Sequence, residues 1–139
     1  MILLDTNIIS EMMRPVPTAQ VVSWFNQQRS TLLFLCAVTV AEISYGLNAL
    51  AEGARRRRLQ EAFEKLLRIG FQHRILPFDL PAAEIYGNIM ANRKAAGRPL
   101  SVLDGQIAAI ARAEGFILAT RNERDFVDCG VEIINPFNQ

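Results

Sequence analysis

Short apolar runs alternate along the chain with longer stretches of helical period. Met1–Leu4 is the first run and stops abruptly at Asp5-Thr6-Asn7. Leu32–Val38 (LLFLCAV) is apolar throughout, as expected for a strand covered on both faces. Arg74–Phe78, Phe116–Ala119 and Val131–Ile134 read as three further strands. Between them, Thr18–Gln28 carries Val21, Val22, Trp24 and Phe25 at helical spacing, after Pro15 and Pro17. Val40–Leu50 and Arg55–Ile69 predict a helical hairpin broken at Gly53. Ala82–Ala96 and Val102–Ala113 predict two more helices, closed near Gly97 and before Gly115. With a short helix after Asn122, the order is β-α-β-αα-β-α-α-β-β. Strands joined by helical crossovers predict an α/β domain spanning residues 1–139: a mostly parallel sheet of about five strands with helices on both faces.

Such sheets bind ligands beyond the carboxyl ends of their strands, where strand order reverses. Four acids fall at or near such positions. Asp5 follows the first strand, Glu42 lies after the second in VTVAEI, Asp104 opens a helix in LSVLDG, and Asp125 follows the fourth in LATRNERDF. Each also has a structural explanation. Thr39-x-x-Glu42 and Ser101-x-x-Asp104 read as capping boxes, Asp5 as the cap of a helix holding Ile8 and Ile9, and Asp125 as a turn aspartate. Gathered together, the four would repel by about 4 kcal/mol per adjacent pair at an effective dielectric of ~20. A fold tolerates that only if the site holds a cation or several acids stay protonated.

Composition narrows the chemistry further. At 139 residues and half apolar, the chain can bury one core without staples. A net charge of +1 and two distant cysteines predict neither a polyanion-binding surface nor a disulfide framework. No membrane span and no signal peptide are expected, which places the protein in the cytoplasm. His73 is the single histidine, so zinc sites built on histidine pairs are excluded, and the glycine-rich nucleotide signatures are absent. Oxygen-only ligands favour Mg²⁺ or Mn²⁺.

MILLDTN, VTVAEI, LSVLDG and ATRNERDF with the terminal INP together resemble the PIN-domain nucleases, and among them the bacterial VapC/FitB-type toxins. RILPFD at Arg74–Asp79 adds to the likeness, which covers essentially the whole chain. The resemblance implies that Asp5, Glu42 and Asp104 are metal ligands. The fourth position is divided: some members carry an acid where this chain has Asn122, and others point to Asp125, which is the expectation here. Thr6, Asn7, Thr120 and Asn122 are expected to support the site. The implied activity is divalent-metal-dependent hydrolysis of RNA. The implied partners are a cognate antitoxin that inhibits the chain, operator DNA reached only through that antitoxin, and a second copy in a homodimer. The alternative, suggested by Asn122, is a catalytically weak RNA-binding or co-repressor module. Haloacid-dehalogenase and receiver-type phosphoryl chemistry fail, the first because Asn7 stands where a second acid is needed.

Two basic groups are candidate RNA or antitoxin contacts: Arg55, Arg56, Arg57 and Arg58, and Arg93, Lys94 and Arg98. A solvated helix end is the simpler reading of both. Trp24 and Phe25 read as core, Cys36 as a buried apolar residue, and Cys129 as a residue exposed near a loop.

Overall fold

The computed structural model describes residues 1–139. Its strands β1 (Ile2–Leu4), β2 (Leu33–Cys36), β3 (Ile75–Leu76), β4 (Ile117–Ala119) and β5 (Ile133–Ile134) form one parallel sheet in the order β3-β2-β1-β4-β5. Six helices connect them: α1 (Thr6–Met12), α2 (Ala19–Gln27), α3 (Ala37–Asn48), α4 (Ala54–Lys65), α5 (Leu80–Ala95) and α6 (Val102–Glu114).

Strand side chains alternate between the two faces, and each face has its own core. Leu3, Cys36 and Leu118 point to the layer of α5 and α6, against Ile89, Ile107, Ile110 and Ala111. Leu4, Leu33, Leu35 and Ala119 point to the layer of α1–α4, against Ile8, Ile9, Val21, Trp24, Ile43 and Phe63. Fully burying one such Leu or Ile is worth about 1.5–3 kcal/mol. Both faces being covered is why the strands are nearly free of polar residues.

Chain direction across the sheet fixes the functional edge. From β1 the chain moves outward to β2 and β3, then returns to β4 on the other side of β1. The reversal lies between β1 and β4, so the residues leaving these central strands, Asp5 and Thr120, face one crevice.

Several elements depart from the sequence reading. Two helices rather than the single one of the element order separate β1 and β2: α1, the short helix capped by Asp5 that holds Ile8 and Ile9, and α2. The apolar run Leu32–Val38 is divided: β2 ends at Cys36 and α3 begins at Ala37. Thr39 is therefore inside α3, and no capping box joins it to Glu42. The helix expected over Arg55–Ile69 changes from α to a π-type turn at Leu66–Gly70. Cys129 is buried rather than exposed.

Candidate active site

Asp5 is built into the backbone at the end of β1. Its N–H donates to Ala119 O at 2.9 Å, extending the β1–β4 ladder by one bond. Its carboxylate caps α1, Oδ1 accepting from the Thr6 N–H at 2.8 Å. Oδ2 accepts from the Thr120 hydroxyl at 2.8 Å and from Asn7 Nδ2 at 3.1 Å. Asn7 Oδ1 in turn accepts from the Arg121 N–H, and Thr120 Oγ1 accepts from the Asn122 N–H. The ends of β1 and β4 are thus stitched together through Thr120 and Asn7.

Burial pushes the Asp5 carboxyl up from 3.8 to about 6, against the pull of the Thr120 and Thr6 bonds. The charges of Asp104 and Glu42 push it the same way, so all three acids share one electrostatic environment.

Glu42 reaches this place from the second turn of α3. It accepts from the Thr6 hydroxyl at 2.8 Å, and Thr6 Oγ1 also lies 3.2 Å from Thr39 Oγ1. Asp104 arrives on the first turn of α6, whose cap Ser101 accepts from the Asp104 N–H at 3.2 Å. Gly105 next to it lets α6 approach α5, since a Cβ there would meet Met90 Sδ at 2.5 Å. Asp104 is half-buried, and its carboxyl is raised first by burial and also by the charge of Asp125. Asp5, Glu42 and Asp104 line one open cavity of about 540 Å³, together with Thr6, Asn7 and Asn122.

Asp125 is not in that wall. It is exposed, on a 3-10 turn over Glu123–Phe126, with its N–H donating to Asn122 O. Asn122 occupies the cavity position, and Asp125 stands behind it within electrostatic reach of Asp104. The cavity wall thus presents Asn122, while the exposed Asp125 bears on the site through its charge near Asp104.

The donors suit a hard cation: carboxylate, amide and hydroxyl oxygens without nitrogen or sulfur ligands. The acids line the cavity without closing on one point; no three acidic, histidine or cysteine side chains form a ready coordination cluster. Mg²⁺ needs only one or two protein carboxylates when water and substrate phosphate complete its shell. Asp5, destabilised as an anion by burial and two neighbouring charges, is the group a cation would relieve most.

The basic candidates separate. Arg93 is buried: Nε donates to Arg98 O at 2.7 Å, and Nη1 to Asp125 O at 3.0 Å and Val127 O at 2.7 Å. It ties the turn carrying Asp125 to α5 and cannot serve as a surface contact. Arg98 pairs with Asp128, while Lys94 is exposed. Arg55–Arg58 form the first turn of α4, outside the cavity, where Arg56 donates to Leu50 O and Asn48 Oδ1.

Sequence reasoning missed Glu11, Arg14, Arg121 and Phe137, which also line the cavity. Glu11 is buried and held below the usual carboxylate range, chiefly by the Thr18 hydroxyl at 2.6 Å and then by Arg14. The available signal was a polar stripe, Asn7, Ser10, Glu11 and Arg14, at the spacing of one helix face.

A parallel sheet in this order, with acids from β1, α3 and α6 meeting at its reversal, defines the PIN fold. The family model "PIN domain" matches residues 2–130, and the chain belongs to that family. It is 42% identical over 137 residues to VapC ribonuclease Y4jK of Sinorhizobium fredii, covering 99% of this chain and 98% of that one. It is 40% identical over 138 residues to Toxin FitB of Neisseria gonorrhoeae, covering 99% of each. The crystal structure of FitAcB from Neisseria gonorrhoeae superposes with a TM-score of 0.94 at 40% identity, covering 100% of both chains. FitAB bound to an IR36 DNA fragment gives 0.93, also at 40% identity, over 99% of this chain and 96% of that one.

Proposed function

We propose that this chain is a divalent-metal-dependent endoribonuclease, with Mg²⁺ or Mn²⁺ held by Asp5, Glu42 and Asp104, and that it acts as the toxin of a toxin–antitoxin pair. The observation that carries this reading is the meeting of those three acids, from distant stretches of sequence, on one cavity at the sheet's reversal point. The ribonuclease and toxin relatives at 40–42% identity support it.

A cation bound there supplies a Lewis acid for the phosphate and lowers the pKa of a water nucleophile. The chain's own residues prepare the place. Thr120 and Asn7 fix both the position and the acceptor geometry of Asp5. Thr6 holds Glu42 toward the cavity, and Ser101 fixes the turn that presents Asp104. Asn122 offers a carbonyl oxygen without charge, so the fourth position is neutral.

A cognate antitoxin would occupy the cavity mouth and carry the pair to operator DNA, and the chain itself would pair with a second copy in the cytoplasm. FitAB bound to a DNA fragment supports the DNA-bound complex by analogy. The test is Asp5→Asn and Asp104→Asn in metal-titrated cleavage of RNA. Each should keep its circular dichroism and lose cleavage. Full activity in either would refute the nuclease mechanism, and RNA binding without any wild-type cleavage would favour a non-catalytic module.

A further inference from the structure

Arg121 stands on the cavity wall, exposed and without an acidic partner. The ion pairs of the molecule join Arg14 to Glu11, Arg68 to Glu64 and Arg98 to Asp128. Arg14, the other cavity arginine, is therefore already neutralised. Arg121 instead lies with its guanidinium carbon 4.6 Å from the centroid of the Phe137 ring. A guanidinium over an aromatic ring satisfies none of its N–H donors there, which leaves its fork available to a phosphate.

Both ends of this arrangement are held. The Arg121 N–H donates to Asn7 Oδ1 at 3.2 Å, and its neighbour Thr120 bonds Asp5. Phe137 is half-buried against the core of the α1–α4 layer, with its N–H on Asn135 Oδ1. The backbone under the fork is thus fixed, and the guanidinium rests against Phe137 one residue from the group that secures Asp5.

We propose that Arg121, seated on Phe137, anchors a phosphate of the RNA strand and so positions the adjoining phosphodiester over Asp5, Glu42 and Asp104. This assignment rests on the nuclease reading above and makes Arg121 a positioning residue. With Glu11 paired to Arg14, the cavity still presents Asp5, Glu42 and Asp104 to a polyanion, and Arg121 supplies the local attraction that lets the strand enter.

The experiment compares wild type with Arg121→Ala, Arg121→Lys and Phe137→Leu. Affinity for a short single-stranded oligoribonucleotide is read by fluorescence anisotropy in EDTA across a salt series, and cleavage kinetics are read in Mg²⁺. Arg121→Ala should weaken affinity and raise KM by about ten- to a hundredfold, with kcat changed far less. Its salt slope should fall by about 0.7, the value for one phosphate contact on a single strand. Arg121→Lys should restore the slope but only part of the affinity, and Phe137→Leu should lie between. Thermal midpoints near wild type for Arg121→Ala separate this role from a structural one.

Unchanged affinity, KM and slope in Arg121→Ala, with wild type cleaving RNA, would overturn the proposal and leave the nuclease reading intact. A wild-type chain that neither binds nor cleaves RNA would overturn both. Intact RNA affinity in Arg121→Ala, with lost affinity for an Asp/Glu-rich peptide, would overturn it in favour of a protein-contacting arginine.

Discussion

The Asp5→Asn variant should be more stable than wild type at neutral pH when divalent cations are removed. The Asp5 carboxyl is raised from 3.8 to about 6, so the folded state binds its proton more tightly than the unfolded state. Stability from this group is full below about pH 3.8 and is lost as pH rises through about 6. At 1.36 kcal/mol per pH unit, the loss amounts to about 3 kcal/mol above pH 7. The amide removes that loss because it carries no charge. It also leaves one of the donors now aimed at the carboxylate, Thr6 N–H, Thr120 or Asn7, without its acceptor, at about 1 kcal/mol. The variant should therefore gain about 2 kcal/mol at pH 7.5, or roughly 6 °C in Tm for a domain of this length. Near pH 4 the order should reverse. Urea unfolding of both chains in EDTA between pH 4 and 8, followed by circular dichroism, measures this directly, since the other acids titrate in both. Millimolar Mg²⁺ should then stabilise wild type more than the variant. A stability difference between the two chains that stays constant across pH 4–8 would refute the reasoning.

The positions of Asp125, Asn122 and Arg93 lead to three further predictions. Asp125→Asn should lower RNA cleavage by less than about tenfold, since Asp125 acts on the cavity only through its field on Asp104, whereas Asn122→Asp should tighten Mg²⁺ binding and lower metal-free stability at neutral pH; calorimetric titration and urea unfolding check both, and abolished cleavage in Asp125→Asn would contradict the placement. Arg93→Lys should cost about 2–4 kcal/mol by urea unfolding, because a buried fork bonded to three carbonyls cannot be reproduced by an ammonium; its salt slope for RNA binding should match wild type, and a reduced slope would show that Arg93 contacts phosphate.

The sheet was legible because its strands are buried on both faces and therefore continuously apolar, and because caps and glycines mark α5 and α6. What misled was chemistry shared by two outcomes. Ala37 and Val38 suit a buried strand and a buried helix equally, so the β2–α3 boundary was drawn too late and Thr39 looked like a cap. Asp5 and Asp104 could be named because one ends a strand and the other opens a helix, and Glu42 because it lies one turn beyond the second strand. Asp125 is expected ahead of Asn122 from the family pattern, whereas Asn122 lines the cavity and Asp125 lies exposed on the 3-10 turn that follows it, a local geometry the sequence does not display. Arg93 looked solvated beside Lys94 and Arg98, and nothing local announces that the carbonyls of a turn more than thirty residues away enclose it.

The bond from the Asp5 N–H to Ala119 O makes the acid a rung of the two innermost strands. Amides in such a location open to solvent only when the whole molecule unfolds, so exchange there should run at the global rate. Breathing motions elsewhere in the protein leave this residue in register. Under the proposed nuclease reading, an inhibitor would therefore stopper the entrance of the crevice rather than bend its floor, and cleavage would return as soon as the plug departs.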